Sequence, residues 1–389
     1  MTRPFGKAQR IMTRPSCRSS VPIAALVIAT SATAFAHHGI GRFDPRGHLE
    51  LEGTLTGLDF VNPHSYVYFN AVGADGAVIE MQCEMRAATV LRRSGWSPDM
   101  FVPGVSIKIV GRPHRDDPHY CHADTLTIGD ASTLQRYQQL GADSPVDRSD
   151  RPLRLASGAP NLAGDWAQEQ YIMARPPNGP GGLVPKSVLA AVEAGELAVA
   201  DAPDAGWFPP PVTLTEAGRA ASAALSDRPP EENPRLSCQI TSILFDWVFD
   251  GTINRITQND GAITFAYGRG LERTVHLGLK EHPAGVAPSR AGHSIGRWDG
   301  DTLVVDTVAF ESGSLAGAIA HSSELHIVER FTLDPKTLAL KRDYVAEDRL
   351  YFADQYLGSD TVLPADAPFA VDACKELAYE YRAERSVSE

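Results

Sequence analysis

Seven of the chain's twelve histidines, His37, His38, His48, His64, His114, His119 and His122, fall within 86 residues. Imidazole is the commonest nitrogen ligand for transition metals, and neutral nitrogen donors favour Cu(II), Ni(II) or Zn(II). The metal-type candidates are His37, His38, His64 in Asn62-Pro63-His64, and His119 and His122 in His119-Tyr120-Cys121-His122. If the chain were cut after Ala36, His37 would become the new terminus and offer its α-amino nitrogen and imidazole as a chelate, with His38 beside it. A second, looser group comprises Glu281, His282, His293, His321, Glu324 and His326. Paired with an acid, a histidine can move protons, so His293, His321 and Glu324 are the candidate acid–base residues. The bland reading of that group, a solvated hairpin with loop histidines, carries more weight.

The case for a cut after Ala36 rests on the leader. Residues 1–20 hold Arg3, Lys7, Arg10, Arg14 and Arg18 and no acid, and an apolar run from Val21 ends in Ala34-Phe35-Ala36. A basic start, a short apolar stretch and an A-x-A end form a secretory signal of Sec type. A run of sixteen residues falls short of the ~20 that span a bilayer. The expectation is a periplasmic or secreted protein with no membrane span after cleavage, starting at Met1 or at Met12 of the repeated Met-Thr-Arg-Pro. Removing the leader takes away five basic residues and moves the net charge from −12 to −17. That balance argues against nucleic acid as a partner, because phosphate binding needs clustered Lys and Arg.

Cleavage leaves Cys83, Cys121, Cys238 and Cys374. An even number in an exported chain reads as disulfides, with three pairings open. Cys83–Cys121 and Cys238–Cys374 are favoured because each pair stays inside one domain.

The elements that would position these residues are mostly strands. Leu49–Leu58, Ser65–Val72, Val78–Glu84, Val105–Val110 and Asp124–Ile128 have strand patterning, with a helix over Met85–Ser94. This order suits an OB-like five-stranded barrel over residues 37–130. Polar residues 131–160 read as a linker. Residues 161–389 begin with two helices, Lys186–Glu196 and Thr215–Leu225, and continue as about eight strands. Those strands are Ile253–Gln258, Ala262–Tyr267, Arg273–Leu279, Ser294–Trp298, Thr302–Phe310, Glu324–Leu333, Leu338–Ala346 and Leu350–Tyr356, with Glu376–Arg382 closing the run. The expected fold class is therefore mostly β: a small OB-like barrel, then a larger antiparallel up-and-down barrel with helical insertions. A barrel of that size can hold one small ligand.

Two resemblances cover most of the chain beyond the leader. His37-His38-Gly39, Phe43-Asp44, Leu51-Glu52-Gly53-Thr54-Leu55, Asn62-Pro63-His64-Ser65 and Arg92-Arg93-Ser94-Gly95-Trp96 resemble an uncharacterised exported domain of proteobacteria. Cys121-His122 departs from its pattern. Leu162-Ala163-Gly164-Asp165-Trp166, Leu214-Thr215-Glu216-Ala217-Gly218-Arg219, Gly292-His293-Ser294-Ile295-Gly296-Arg297-Trp298 and Gly300-Asp301-Thr302-Leu303-Val304-Val305 are similar to a second uncharacterised exported β-rich module. Gly164-Asp165-Trp166 also resembles the Gly-x-Trp of lipocalin-like barrels, which implies a late arginine packed on the tryptophan, here Arg382. Neither resemblance brings an activity.

The sequence carries no Walker loop, Rossmann glycine fingerprint, HExxH or GxSxG, so no nucleotide cofactor is expected. The leading expectation is an exported two-domain binding protein for a small hydrophobic ligand. Its ligand-binding candidates are Trp166, Trp298, His326 and Arg382, with a copper-type site at the N-terminal histidines. The rivals are a periplasmic enzyme acting on a hydrophobic small molecule or by copper redox chemistry, and an assembly factor gripping a partner protein. The oligomeric state is open.

Overall fold

The computed structural model describes residues 42–73, 76–140, 151–203, 211–229, 232–234, 237, 239–371 and 373–375. The chain is mostly β, a closed five-stranded barrel followed by a closed nine-stranded barrel. The first barrel is built from β1 (Leu49–Asp59), β2 (Tyr66–Val72), β3 (Val78–Glu84), helix α1 (Ala88–Arg93), β4 (Ser106–Pro113) and β5 (Tyr120–Ile128). Its order is β3-β2-β1-β4-β5, closed by a parallel pairing of β3 with β5. Alternation explains the core: Val67, Phe69 and Ala71 of β2 point inward with Met81 and Cys83 of β3 and Ile107 and Ile109 of β4. The favoured pairing Cys83–Cys121 is present. Cys374 is also disulfide-bonded, while Cys238, its expected partner, lies outside the described residues.

The stretch read as a linker is engaged at both ends. A short strand β6 (Leu134–Gln135) pairs with β5, and Arg151 lies over the Trp166 ring at 4.7 Å. Then follow β7 (Gly164–Ala167), the hairpin β8 (Tyr171–Ala174) and β9 (Gly182–Pro185), α2 (Leu189–Glu193) and α3 (Glu216–Asp227). The Thr215 hydroxyl caps α3 by accepting the Gly218 N–H at 3.0 Å.

The large barrel continues with β10 (Ile253–Gln258), β11 (Ala262–Ala266), β12 (Glu272–His276), β13 (His293–Asp299), β14 (Thr302–Val308), the hairpin β15 (Gly313–Ala316) and β16 (Ile319–His321), β17 (His326–Leu333), β18 (Leu340–Glu347) and β19 (Tyr356–Pro364). Its closed order is β10-β11-β12-β13-β14-β17-β18-β19-β7. Neighbours are antiparallel except β12 and β13, which run parallel across the Leu277–Gly292 crossover. The β10–β11 turn forms because Asn259 Oδ1 accepts the N–H groups of Gly261 and Ala262 at 2.9 and 2.8 Å.

One expected strand is elsewhere. Of the expected strand Leu350–Tyr356, all but Tyr356 is turn and loop, because the Asp348 carboxylate accepts the N–H groups of Leu350 and Tyr351 at 3.0 and 3.1 Å and withholds them from a ladder. The strand that joins β18 to β7 is β19 instead. Glu376–Arg382 lies outside the described residues.

Arg93 fastens the barrels together. Its guanidinium donates to Asp366 at 2.6 Å, to the Gly251 carbonyl at 2.9 Å and to the Gln168 carbonyl at 2.7 Å. Residues 373–375 also return to the first barrel: Asn62 N–H donates to Ala373 O, and Lys375 N–H to Asn62 O, both at 2.9 Å.

Candidate functional site

The disulfide organises a polar patch on the first barrel. It ties β3 to β5 in the register Cys83↔Cys121, so Glu84 and His122 are paired as the next residues. Side chains alternate along a strand, so both turn away from the sulfur core to the opposite face. There Glu84 is buried, its Oε2 accepting the Tyr120 hydroxyl at 3.1 Å and lying 3.3 Å from His64 Nδ1. Arg136 closes the side, donating to the Glu84 backbone carbonyl at 2.9 Å. Burial would raise the Glu84 carboxyl, but His64 first, then Arg136 and His122, bring it down to about 2. Glu84 is thus a carboxylate at neutral pH.

His122 is 2% exposed, with Nδ1 3.1 Å from Asp124 Oδ1. Burial pushes its imidazole below the ordinary range, more than Asp124 restores it, so the ring is neutral at pH 7. A neutral ring is the form that binds a metal. Phe43 lids the patch, its ring 5.3 Å from His122 and 5.4 Å from Tyr120. His119 is apart from it: its ring is exposed, with Nδ1 3.0 Å from the Glu80 carbonyl. His37 and His38 lie outside the described residues.

The candidates on the large barrel have three different surroundings. Glu324 is exposed in the turn before β17, its N–H donating to the Ser322 hydroxyl at 3.0 Å. That turn position lies outside the strand, which was expected to run from Glu324 to Leu333 but begins at His326. His321 is buried against Phe310, with Nδ1 3.0 Å from the Ser322 carbonyl, and burial lowers its pKa. His293 stands on the outer wall, within a cluster that also holds His276, His282, Asp306 and His326.

Gly292 sets the position of His293. Its φ is +66°, and a Cβ there would meet Thr307 Cγ2 and the Val308 carbonyl at 2.7 Å, so a side chain is excluded on two grounds.

The ligand candidates are spread as well. Trp166 is fully buried in the core, its Nε1–H donating to the Leu162 carbonyl at 2.9 Å. The arginine over its ring is Arg151; Arg382 lies outside the described residues. Trp298 packs at the edge of the core, and His326 faces outward.

The lumen itself is filled by the protein. Trp247, Phe265 and Phe331 meet edge to face or tilted at 5.2–6.0 Å. The segment carrying Trp247 is held inside by Arg342, which donates to the Ile243 and Leu244 carbonyls at 3.1 and 2.8 Å. A buried charge chain crosses the wall: Arg273 to Glu329 at 2.5 Å, Glu329 to Arg342 at 3.2 Å, and Arg342 to Asp360 at 2.5 Å. Sequence reading missed this chain. Its signal was a charge at an inward strand position, Arg273, Glu329 and Arg342, where alternation calls for an apolar residue.

Residues 25–121, about a quarter of the chain, match the model of a family of unknown function, DUF6152. The match takes in His64, Glu84 and both bridged cysteines and stops one residue before His122. No curated protein and no solved structure matches the chain.

Proposed function

We propose that this is an exported two-barrel binding protein whose first barrel takes a divalent transition metal of copper type at the Glu84 patch. One observation carries the reading: a buried carboxylate, Glu84, is flanked by His64 and by a neutral, buried His122. Phe43 is pinned there by its bridge to His114. The described residues alone do not assemble a metal centre of three such groups. The α-amino group and rings of His37 and His38, which lie outside the described residues, are proposed as nitrogen donors on sequence grounds alone. Nitrogen donors with one carboxylate suit Cu(II).

The test is mass spectrometry of the protein from the periplasm of its expression host, followed by Cu(II) titration read by electron paramagnetic resonance. The expected result is a mature terminus at His37 and one copper with nitrogen hyperfine splitting, lost when an alanine precedes His37 and weakened in His64→Ala. A different terminus, or no copper bound tighter than micromolar, refutes it.

A second reading keeps a small ligand in the large barrel. What favours it is that Trp247 Nε1 is buried with no hydrogen-bond partner among the described residues, although an occupant would have to displace side chains that now fill the lumen. Buried donors without acceptors are costly, and an occupant with acceptor atoms would satisfy them. An enzymatic or assembly role has no comparable support.

A further inference from the structure

The histidine cluster on the outer wall of the large barrel lies in the other domain from the Glu84 patch and does not depend on export. Four strands and one crossover build it. His276 ends β12, His293 opens β13, Asp306 is on β14 and His326 opens β17, while His282 comes from the crossover between β12 and β13. The register explains the meeting. Asp306 pairs with Ile295 on one side and Val328 on the other, so His293 and His326 are its diagonal neighbours on the same face.

His282 sits at the centre. Its Nδ1 is 2.8 Å from His293 Nδ1, and its Nε2 is 3.1 Å from Asp306 Oδ1. The same oxygen is 3.0 Å from His326 Nε2. The His276 ring lies parallel to that of His293, 5.2 Å away and inclined by 18°.

The proton arrangement is constrained. A carboxylate only accepts, so His282 presents Nε2–H to Asp306. A neutral His282 then has a bare Nδ1 lone pair aimed at His293 Nδ1. Two imidazole nitrogens aimed at each other, one backed by a carboxylate on its far nitrogen, form the carboxylate–histidine arrangement that orients a metal ligand and raises its basicity. Two ligand nitrogens about 2.0–2.1 Å from a tetrahedral zinc ion are about 3.3–3.4 Å apart. The two Nδ1 atoms therefore need to separate by only about half an ångström to admit an ion in place of the shared proton. The other charged groups near His326 are Glu347 and Arg349, one of each sign.

We propose that His282 and His293 bind a divalent ion of zinc type through their Nδ1 atoms, with Asp306 orienting His282 and His276 turning in as the third ligand. Among the described residues no three donor groups already converge on one point. Binding thus entails a ring rotation of His276 at the end of its strand, with water as the fourth ligand. Entry displaces the Nδ1 proton that His293 shares with His282; that proton passes through solvent to His293 Nε2, so the neutral ring binds as its Nε2–H tautomer with no net proton release.

The experiment uses the full chain and Zn(II) alone. Bound zinc is counted by equilibrium dialysis and elemental analysis, and Co(II) substitution reports geometry by visible absorption. Wild type is expected to bind one zinc that His282→Ala and His293→Ala each lose, while His64→Ala keeps it. Asp306→Asn should keep the stoichiometry but weaken affinity 10–100-fold. Co(II) should give tetrahedral bands absent in His282→Ala. His293→Gln, which retains the side-chain bulk, stands in if His293→Ala fails to fold. Zinc counts that are unchanged in both histidine variants, or a wild-type chain that binds no zinc tighter than millimolar, overturn the proposal. Loss of the copper signal in the first barrel leaves this result untouched, so the two proposals fail separately.

Discussion

Glu329→Gln is the sharpest probe of the large barrel. The side chain is 0% exposed and bridges two guanidiniums, Arg273 at 2.5 Å and Arg342 at 3.2 Å. With Asp360 the chain holds two positive and two negative groups, so it is neutral as a whole. Burial would push the Arg273 guanidinium down, but Glu329 beside it holds it above its ordinary value. Glutamine has nearly the same shape and keeps one carbonyl acceptor. It leaves Arg273 with no charged partner and Arg342 with Asp360 alone. Removing one member of a buried ion pair costs about 3–5 kcal/mol, because the partner stays desolvated and uncompensated. For a domain of 150–250 residues each kcal/mol moves the melting midpoint by roughly 2–4 °C, so the transition of this barrel should fall by about 6–20 °C. Urea denaturation followed by Trp fluorescence gives the free energy directly, since Trp247 sits against Phe265 and Phe331. Adding Arg273→Met should recover part of the loss by removing the orphaned charge. A Glu329→Gln protein within 1 kcal/mol of wild type would refute the argument that this chain of charges is balanced by pairing.

Three further outcomes follow from local geometry. Replacing Cys83 and Cys121 by alanine opens a 38-residue separation and should cost about 4 kcal/mol in the chain-entropy picture, measured as a lower urea midpoint under non-reducing conditions. Gly292→Ala should lose about 1–3 kcal/mol or more, because a positive φ and two 2.7 Å contacts oppose any Cβ; a wild-type melting curve would contradict this. Asp165 is held below the ordinary carboxylate range: burial would raise it, but Arg255 at 2.6 Å and the Phe369 N–H outweigh that. A depressed folded pKa gives stability that is present above the unfolded value near ~4 and is lost as pH falls. The stability gap between wild type and Asp165→Asn should therefore narrow on acidification from pH 6 to pH 3, and a gap that widens would reverse the sign.

Strand periodicity made much of the architecture legible. Val78–Glu84 and Ile253–Gln258 coincide with β3 and β10. A threonine cap before the helix was legible, with Thr213 and Thr215 both open, and the structure selects Thr215. What stayed hidden depends on contacts distant in sequence. Glu84 joins His122 only through the β3–β5 register, which the cysteine pairing would have revealed had it been followed one residue further. Of the looser group Glu281, His282, His293, His321, Glu324 and His326, the fold brings His282, His293 and His326 together, while Asp306 and His276 enter through the lateral order of β12, β13, β14 and β17, which no local pattern encodes. β19 was displaced because a single carboxylate, Asp348, diverts the backbone that precedes it.

The return of residues 373–375 to Asn62 has a consequence for biogenesis. The early barrel gains a backbone partner from residues 373–375, far later in the chain, so its surface stays incomplete until those residues have emerged. A fragment stopping near residue 140 would expose this seam and leave Arg93 without Asp366, Gly251 and Gln168. The two halves are accordingly expected to mature together, with the seam being the last place to close and the first at which a stalled or clipped product would be recognised as unfinished.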